Sequence, residues 1–178
     1  MFLYTKNISE LAHNIIRSHC PNTNLAIDAT LGNGYDTDFL SRIFRKVYAF
    51  DIQPSVIDQN KAKGLKNVEY ILDSHENFLK YIANTDCIMY NLGFLPGGDK
   101  NLTTLAPSTI DSLQIATNIL NSNGIISIAI YEGHQEGLKE KEAIMDFAST
   151  LPKNKFGVMS HSVVNRENAP SLIIIEKN

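Results

Sequence analysis

Segments with strand character and segments with helical spacing alternate along the whole of this chain, and no other feature restricts its fold as strongly. The apolar runs "NLAIDAT", "KVYAFD", "VEYIL", "DCIMYN" and "IISIAIY" are interleaved with "ISELAHNIIRSHC", "DTDFLSRIF", "SVIDQNKAKG", a short segment near "HENFLKYI", "PSTIDSLQIATNILNSNG" and "EGLKEKEAIMDFASTL". In the first helical segment Ile8, Leu11, Ile15 and Ile16 share one face. Pro107 near the start and Gly124 past the end bracket the helix expected between them. The last two apolar runs, "FGVMSHSVV" and "SLIIIEK", are separated only by "NRENAPS", too little for a crossover helix. The expected fold is therefore α/β: a doubly wound, mostly parallel, seven-stranded sheet closed by an antiparallel C-terminal hairpin. No repeat, low-complexity tract or linker interrupts the pattern, so residues 1–178 are read as one continuous domain.

In such sheets, ligands bind at the carboxyl ends of the strands. The first strand runs into "IDATLGNGYDT", where Asp28, Thr30, Gly32, Asn33 and Gly34 form a close-approach loop and Asp36 or Thr37 is expected to cap the next helix. A dinucleotide fingerprint needs glycine at position 37, which is Thr37 here, so an NAD-linked oxidoreductase is disfavoured. The second strand ends in Asp51, followed by Ile52 and Gln53, nineteen residues after Gly32, where an acidic side chain accepts both hydroxyls of an adenosine ribose. Asp28 and Asp51 together would repel a pyrophosphate but suit a cationic ligand with a free amino group, and S-adenosyl-L-methionine is such a ligand. Asp73, Ser74 and His75 follow the third strand and complete the expected cofactor set, together with Asn91.

The stretch "NLGFLPGGDK" after the fourth strand carries the chemistry. Gly93 and Gly98 have the spacing of a phosphate-binding loop, but Asp99 stands where its Lys must be and Asn101 where its Ser or Thr would hold magnesium. The block Asn91, Leu92, Gly93, Phe94 is instead similar to the Asn/Asp-Pro-Pro-Tyr/Phe signature of amino-directed methyltransferases, with both prolines replaced. In that signature the Asn or Asp side chain and the next backbone carbonyl accept hydrogen bonds from a target amine, and the ring packs on the substrate. Methyl transfer from a sulfonium needs the amine lone pair in line with the methyl carbon, about 3 Å away, so positioning does most of the work. Asn orients such an amine but cannot take a proton from an ammonium ion, so the amine arrives neutral or loses its proton to water or another group.

The blocks "DATLGNGYDTDFL", "AFDIQPSVI", "NLGFLPGGDK", "YEGHQEG" and "NRENAPSLIIIEK" resemble, in order and over nearly the whole chain, the MnmM (YtqB-type) family of tRNA wobble-uridine methyltransferases, catalogued earlier as rRNA methylases. The resemblance implies a Rossmann-like class I methyltransferase that uses S-adenosyl-L-methionine to convert 5-aminomethyl-2-thiouridine into 5-methylaminomethyl-2-thiouridine. It departs from the family at Ser171, where a second proline often follows Pro170. The implied partner is tRNA at its anticodon stem-loop, with Pro96, Gly97, Asp99, Tyr131 and His134 expected on the substrate side. "NRENAP" is good turn chemistry, and Asn165, Arg166 and Asn168 within it are expected to meet RNA, which is usually read at unstacked bases.

Composition narrows the setting. With a formal net charge of -3, the 178-residue chain has no global electrostatic footprint for nucleic acid, so RNA binding needs a local patch. Cys20 and Cys87 form no metal-spaced cluster, which makes a reduced, cytoplasmic setting the expectation, and no run is long enough to span a membrane. A second copy of the chain, in a homodimer, is the other partner considered. His13, His19, His75 and His161 have no spaced partners and most of them read as structural or exposed, "KEKEAIMD" reads as a solvated helix face, and "RIFRK" as exposed charge. An rRNA or other RNA amino-methyltransferase, and an RNA-binding module that has lost catalysis, remain the alternatives.

Overall fold

A strand buried on both faces of a parallel sheet needs no polar alternation, and the run ending in Asn91 has none. The computed structural model, which describes residues 4, 5, 7–93, 104–133 and 135–178, makes that run the central strand β4 (Thr85–Leu92), buried everywhere except at Asn91. The other strands are β1 (Leu25–Asp28), β2 (Lys46–Asp51), β3 (Val68–Leu72), β5 (Leu120–Ile130), β6 (Phe156–His161) and β7 (Ser171–Lys177). They form one seven-stranded sheet in the order β3-β2-β1-β4-β5-β7-β6. The first five neighbours pair in parallel, whereas β7 is antiparallel to both β5 and β6, so the expected closing hairpin is present.

Helices cover both faces. α1 (Ile8–His19) and α2 (Tyr35–Ser41) lie on one side, where Ala12, Ile16, Phe39 and Leu40 pack on Cys87 and Met89 of β4. α4 (Ala106–Ile119), α5 (Gln135–Thr150) and a short 3-10 segment, His75–Lys80, lie on the other, where Phe78, Leu113 and Ile144 pack on Ile88, Tyr90 and Leu92. α3 (Pro54–Lys61) adds Val56 and Ile57 to a smaller cluster with Leu31 and Ala49. Because side chains alternate along a strand, Asn91 belongs to the α1 and α2 side of β4.

The expected helix end at Gly124 is corrected. α4 stops at Ile119, and β5 has already begun at Leu120. Between the pairs Thr85↔Leu120 and Cys87↔Ile125 the register shifts, so residues 121–124 make a detour within the strand. Asn121 Nδ2 fixes that detour by donating to Asp86 Oδ1 (2.7 Å), while Asp86 Oδ2 accepts the backbone N–H groups of Asn24 and Leu25. A Cβ on Gly124 would come within 2.8 Å of Asn121 O and 2.9 Å of Asp86 O, so glycine serves a close backbone approach there rather than a helix cap.

Candidate active site

The carboxyl ends of β1, β2 and β4 open onto a cavity of about 560 Å³, within the range of small-molecule sites. Its floor is the loop after β1. Gly34 adopts φ +76° as the N-cap of α2, and a Cβ there would lie 2.1 Å from Asn60 Oδ1. α3 holds the loop from outside: Asn60 Nδ2 donates to Gly32 O (2.9 Å), and just beyond α3 Lys63 Nζ donates to Asn33 O (2.9 Å).

The carboxylates divide into different situations. Asp28, expected to face the ligand, lies beneath the cavity with Thr37 and is not on its wall. Thr37 Oγ1 and Thr30 N–H donate to it at 2.6 and 3.1 Å. Burial pushes its pKa up to about 7, the neighbouring Asp36 charge adds to the rise, and the two hydrogen bonds oppose it. Neither Asp36 nor Thr37 caps α2, because both already lie in its first turn and the cap is Gly34. Asp36 instead reaches the cavity wall, where Oδ1 accepts from His13 Nε2 (2.6 Å) and Oδ2 from Asn91 Nδ2 (3.4 Å).

Asp51 lies on the wall at the end of β2, accepting Gly32 N–H on Oδ2 (3.1 Å) and Gln53 N–H on Oδ1 (2.9 Å). Burial raises its pKa, opposed by these backbone donors. Each oxygen of a carboxylate has acceptor capacity for more than one donor, and Ile52 beside it is 62% exposed, an apolar edge on the same wall. Asp73 is different. It accepts from Ser74 N–H, Asn77 Nδ2, Tyr81 Oη and Lys80 Nζ, so its acceptor sites are used within its own turn. Burial would raise its pKa, and those donors outweigh it to leave the carboxyl below its usual range. His75 lines the wall beside Asp73 and Ser74. Its Nδ1 donates to Ala29 O (3.3 Å), and burial holds its pKa below that of a free imidazole.

Asn91 sits where these parts meet. Its N–H donates to Thr30 Oγ1 (2.7 Å), and because Asp36 offers only acceptors, the Asn91 amide turns its NH2 there and leaves Oδ1 as the acceptor. Gly93 N–H donates to Thr104 Oγ1 (3.0 Å), and the Thr104 hydroxyl donates to Glu140 Oε2 (2.8 Å). Glu140 Oε1 accepts from Thr109 Oγ1 (2.7 Å), and the residue is fully buried. The solvated face expected for "KEKEAIMD" is thus corrected at Glu140, which reaches inward from α5 to hold Thr104 against Gly93. His13, expected to be structural or exposed, has a structural place with a partner that its sequence position did not show: it stacks on Phe39 (3.8 Å between centroids) and pairs with Asp36.

Tyr131 lines the cavity next to Asn91, and burial raises its pKa, with a hydrogen bond from Ser9 opposing and the Asp36 charge assisting. Asn165, Arg166 and Asn168 lie in the β6–β7 turn and do not line the cavity. Since Ser171 pairs with Ile130, that turn projects at the carboxyl end of β5, on the same edge of the sheet. Phe94, Pro96, Gly97, Asp99 and His134 lie outside the described residues. Among the described residues lining the cavity there are three carboxylates and neither Lys nor Arg. No group of three His, Cys, Asp or Glu suited to a metal ion occurs among the described residues, and no helix there is long and apolar enough to cross a membrane.

Residues 47–177 match a family model described as "Putative rRNA methylase". The chain is 31% identical to "tRNA (mnm(5)s(2)U34)-methyltransferase, chloroplastic" of Arabidopsis thaliana, over 97% of this chain and 70% of that protein. Among solved structures, a "putative rRNA-methylase" from Clostridium thermocellum superposes with a TM-score of 0.93 at 35% identity, covering 99% of this chain and 100% of the other. A "putative methyltransferase" from Streptococcus mutans, solved in complex with SAH, gives 0.89 at 35% identity, covering 97% and 99%.

Proposed function

Since the chain belongs to this rRNA-methylase family of MnmM type, we infer that it transfers a methyl group from S-adenosyl-L-methionine to the primary amine of 5-aminomethyl-2-thiouridine at the wobble position of tRNA. The observation that carries the reading is the cavity wall: among the described residues that line it, Asp36, Asp51 and Asp73 without a Lys or Arg, and an Asn91 side chain whose free acceptor stands among them. Such a wall repels a pyrophosphate and attracts cations, which fits a sulfonium cofactor and an amine and disfavours a dinucleotide. The bound cofactor supplies an electrophilic methyl group.

The protein contributes placement. Asp51, fixed by the backbone of Gly32 and Gln53, would accept the ribose hydroxyls. Asn91 Oδ1 and the Leu92 carbonyl would accept the two N–H bonds of the amine and aim its lone pair. Glu140, through Thr104, holds the Gly93 backbone that follows. Holding reactants in line converts an encounter in solution into an oriented step, a gain of roughly 7–11 kcal/mol in favourable cases.

The anticodon stem-loop would approach over the carboxyl edge of the sheet, with Arg166 of the β6–β7 turn as a local cation on an otherwise acidic protein. The same proposal includes a cytoplasmic setting and a homodimer, for which light scattering is the direct check. Mass spectrometry of nucleosides from cells with and without the protein tests the substrate. Accumulation of the aminomethyl form in tRNA upon loss supports the reading. Unchanged tRNA with a methyl mark missing from rRNA would replace it with the rRNA alternative.

A further inference from the structure

Methylation of an amine with an ordinary alkyl pKa requires that a proton leave first, and Asn91 cannot take it. Among the described residues, the structure places a carboxylate beside it. Asp36 Oδ2 is 3.4 Å from Asn91 Nδ2 at the cavity wall, so an amine donating one N–H to Asn91 Oδ1 has a neighbouring carboxylate oxygen for another. The opposite oxygen, Oδ1, is occupied by His13 Nε2 at 2.6 Å, and the His13 ring is clamped flat on Phe39 with the Arg17 guanidinium 5.4 Å from the same ring. Oδ2, which meets Asn91 Nδ2, is thus the oxygen on the Asn91 side.

Resting on the amine-methylation reading above, we propose that Asp36 is the general base that neutralises the substrate ammonium, and that His13 is the residue that positions it. One N–H bond of the ammonium breaks and its proton passes to Asp36 Oδ2. The nitrogen keeps the electron pair, which forms the bond to the methyl carbon as the carbon–sulfur bond breaks with its pair to sulfur. The proton leaves Asp36 for water when the product departs.

A bare carboxylate in water would leave such an amine charged. Here two conditions act the other way. The cofactor's sulfonium repels the ammonium proton, and an enclosed site favours an amine and a carboxylic acid over a buried ion pair. Among the described residues, the groups facing Asp36 are His13 on α1, with Arg17 beside the ring it stacks on, Asp28 below on β1, Cys87 on β4 and Tyr131 after β5.

The test is single-turnover methylation of an aminomethyl-thiouridine anticodon stem-loop at saturating S-adenosylmethionine between pH 6.5 and 9.5, with calorimetric affinities for the cofactor and the stem-loop. In Asp36→Asn the rate at pH 7 is expected to fall on the order of a hundredfold. The deficit shrinks toward parity as pH rises and free amine becomes abundant, while cofactor affinity stays within about threefold. His13→Gln is expected to lose roughly tenfold and to keep the wild-type pH profile, because the base remains. A deficit in Asp36→Asn that is constant across pH would overturn the assignment, since it would mark a structural role. So would a wild-type rate, or a loss confined to cofactor affinity, which would make Asp36 a cofactor contact. If the wild-type protein does not methylate the stem-loop at all, the amine reading itself fails and takes this inference with it.

Discussion

Glu140 offers a severe test of the packing argument, because sequence places it among solvated charges and the structure places it in the core. Its side chain is fully buried on α5, with Thr109 Oγ1 donating to Oε1 at 2.7 Å and Thr104 Oγ1 donating to Oε2 at 2.8 Å. Hydrogen bonds to a charged acceptor contribute about 1.5–3 kcal/mol each, and a buried hydroxyl stripped of its acceptor costs about 1–3 kcal/mol. Removing the carboxylate also removes the cost of burying it. The net loss expected for Glu140→Ala is therefore about 2–4 kcal/mol, or roughly 5–15 °C in melting temperature for a chain of this size. Glu140→Gln retains one acceptor and the volume and should lose about 1–2 kcal/mol. Because Thr104 also accepts the Gly93 N–H, that variant should lower turnover about tenfold with little change in cofactor affinity. The assay is urea denaturation of both variants beside Glu142→Ala, two residues along the same helix and exposed, which should stay within about 0.5 kcal/mol. If Glu140→Ala were no more damaging than Glu142→Ala, the buried clamp would be refuted.

Asp51→Ala should weaken S-adenosylmethionine binding by about 2–3 kcal/mol, roughly 30- to 150-fold, with folding far less affected; unchanged affinity by calorimetry would remove Asp51 from the cofactor site. Asp28 titrates near 7 in the folded protein against 3.8 for an ordinary aspartate. The folded state thus binds more protons than the unfolded state between those values, and stability falls as pH rises from about 4 to about 7, by up to about 4 kcal/mol. Asp28→Asn should flatten that part of the pH–stability curve measured by urea denaturation, and parallel curves for the two proteins would contradict it. Arg166→Ala should weaken stem-loop binding and reduce its salt slope by about one, whereas an intact slope would move the RNA contact elsewhere.

Much of the fold was legible because buried parallel strands announce themselves as continuous apolar runs. "KVYAFD" and "VEYIL" are strands β2 and β3 residue for residue, and the short "NRENAPS" spacer led directly to the antiparallel hairpin. The site was legible only where it follows from strand ends. Asp51 ends β2 and Asn91 stands one residue before the end of β4, both at the cavity, close to where position alone suggests. Which carboxylate after β1 reaches the wall was not readable, because it depends on the turn into α2: Asp28 points below the loop to Thr37, and Asp36 emerges a turn later. His13 and Asp36 meet across 23 residues of chain, and no local spacing records such a pair. Glu140 is hidden for a related reason. Helical periodicity shows a charged face, but only the packing of α5 on α4 decides which charge turns inward. Asp73 looked available until its own turn was seen to use it four times.

The central claim is that the cavity presents an amine of tRNA to a cofactor methyl group by way of Asn91. Single-turnover reactions of the purified protein with S-adenosylmethionine and an anticodon stem-loop carrying 5-aminomethyl-2-thiouridine test it most directly, with wild type and Asn91→Ala compared and the nucleosides resolved by mass spectrometry. The account predicts conversion to the methylaminomethyl form by the wild type. It also predicts a drop of roughly thirty- to a thousandfold in Asn91→Ala, equivalent to about 2–4 kcal/mol in the barrier, at nearly unchanged cofactor affinity. Near wild-type conversion by Asn91→Ala, or a methyl group appearing anywhere other than the amine, would contradict it.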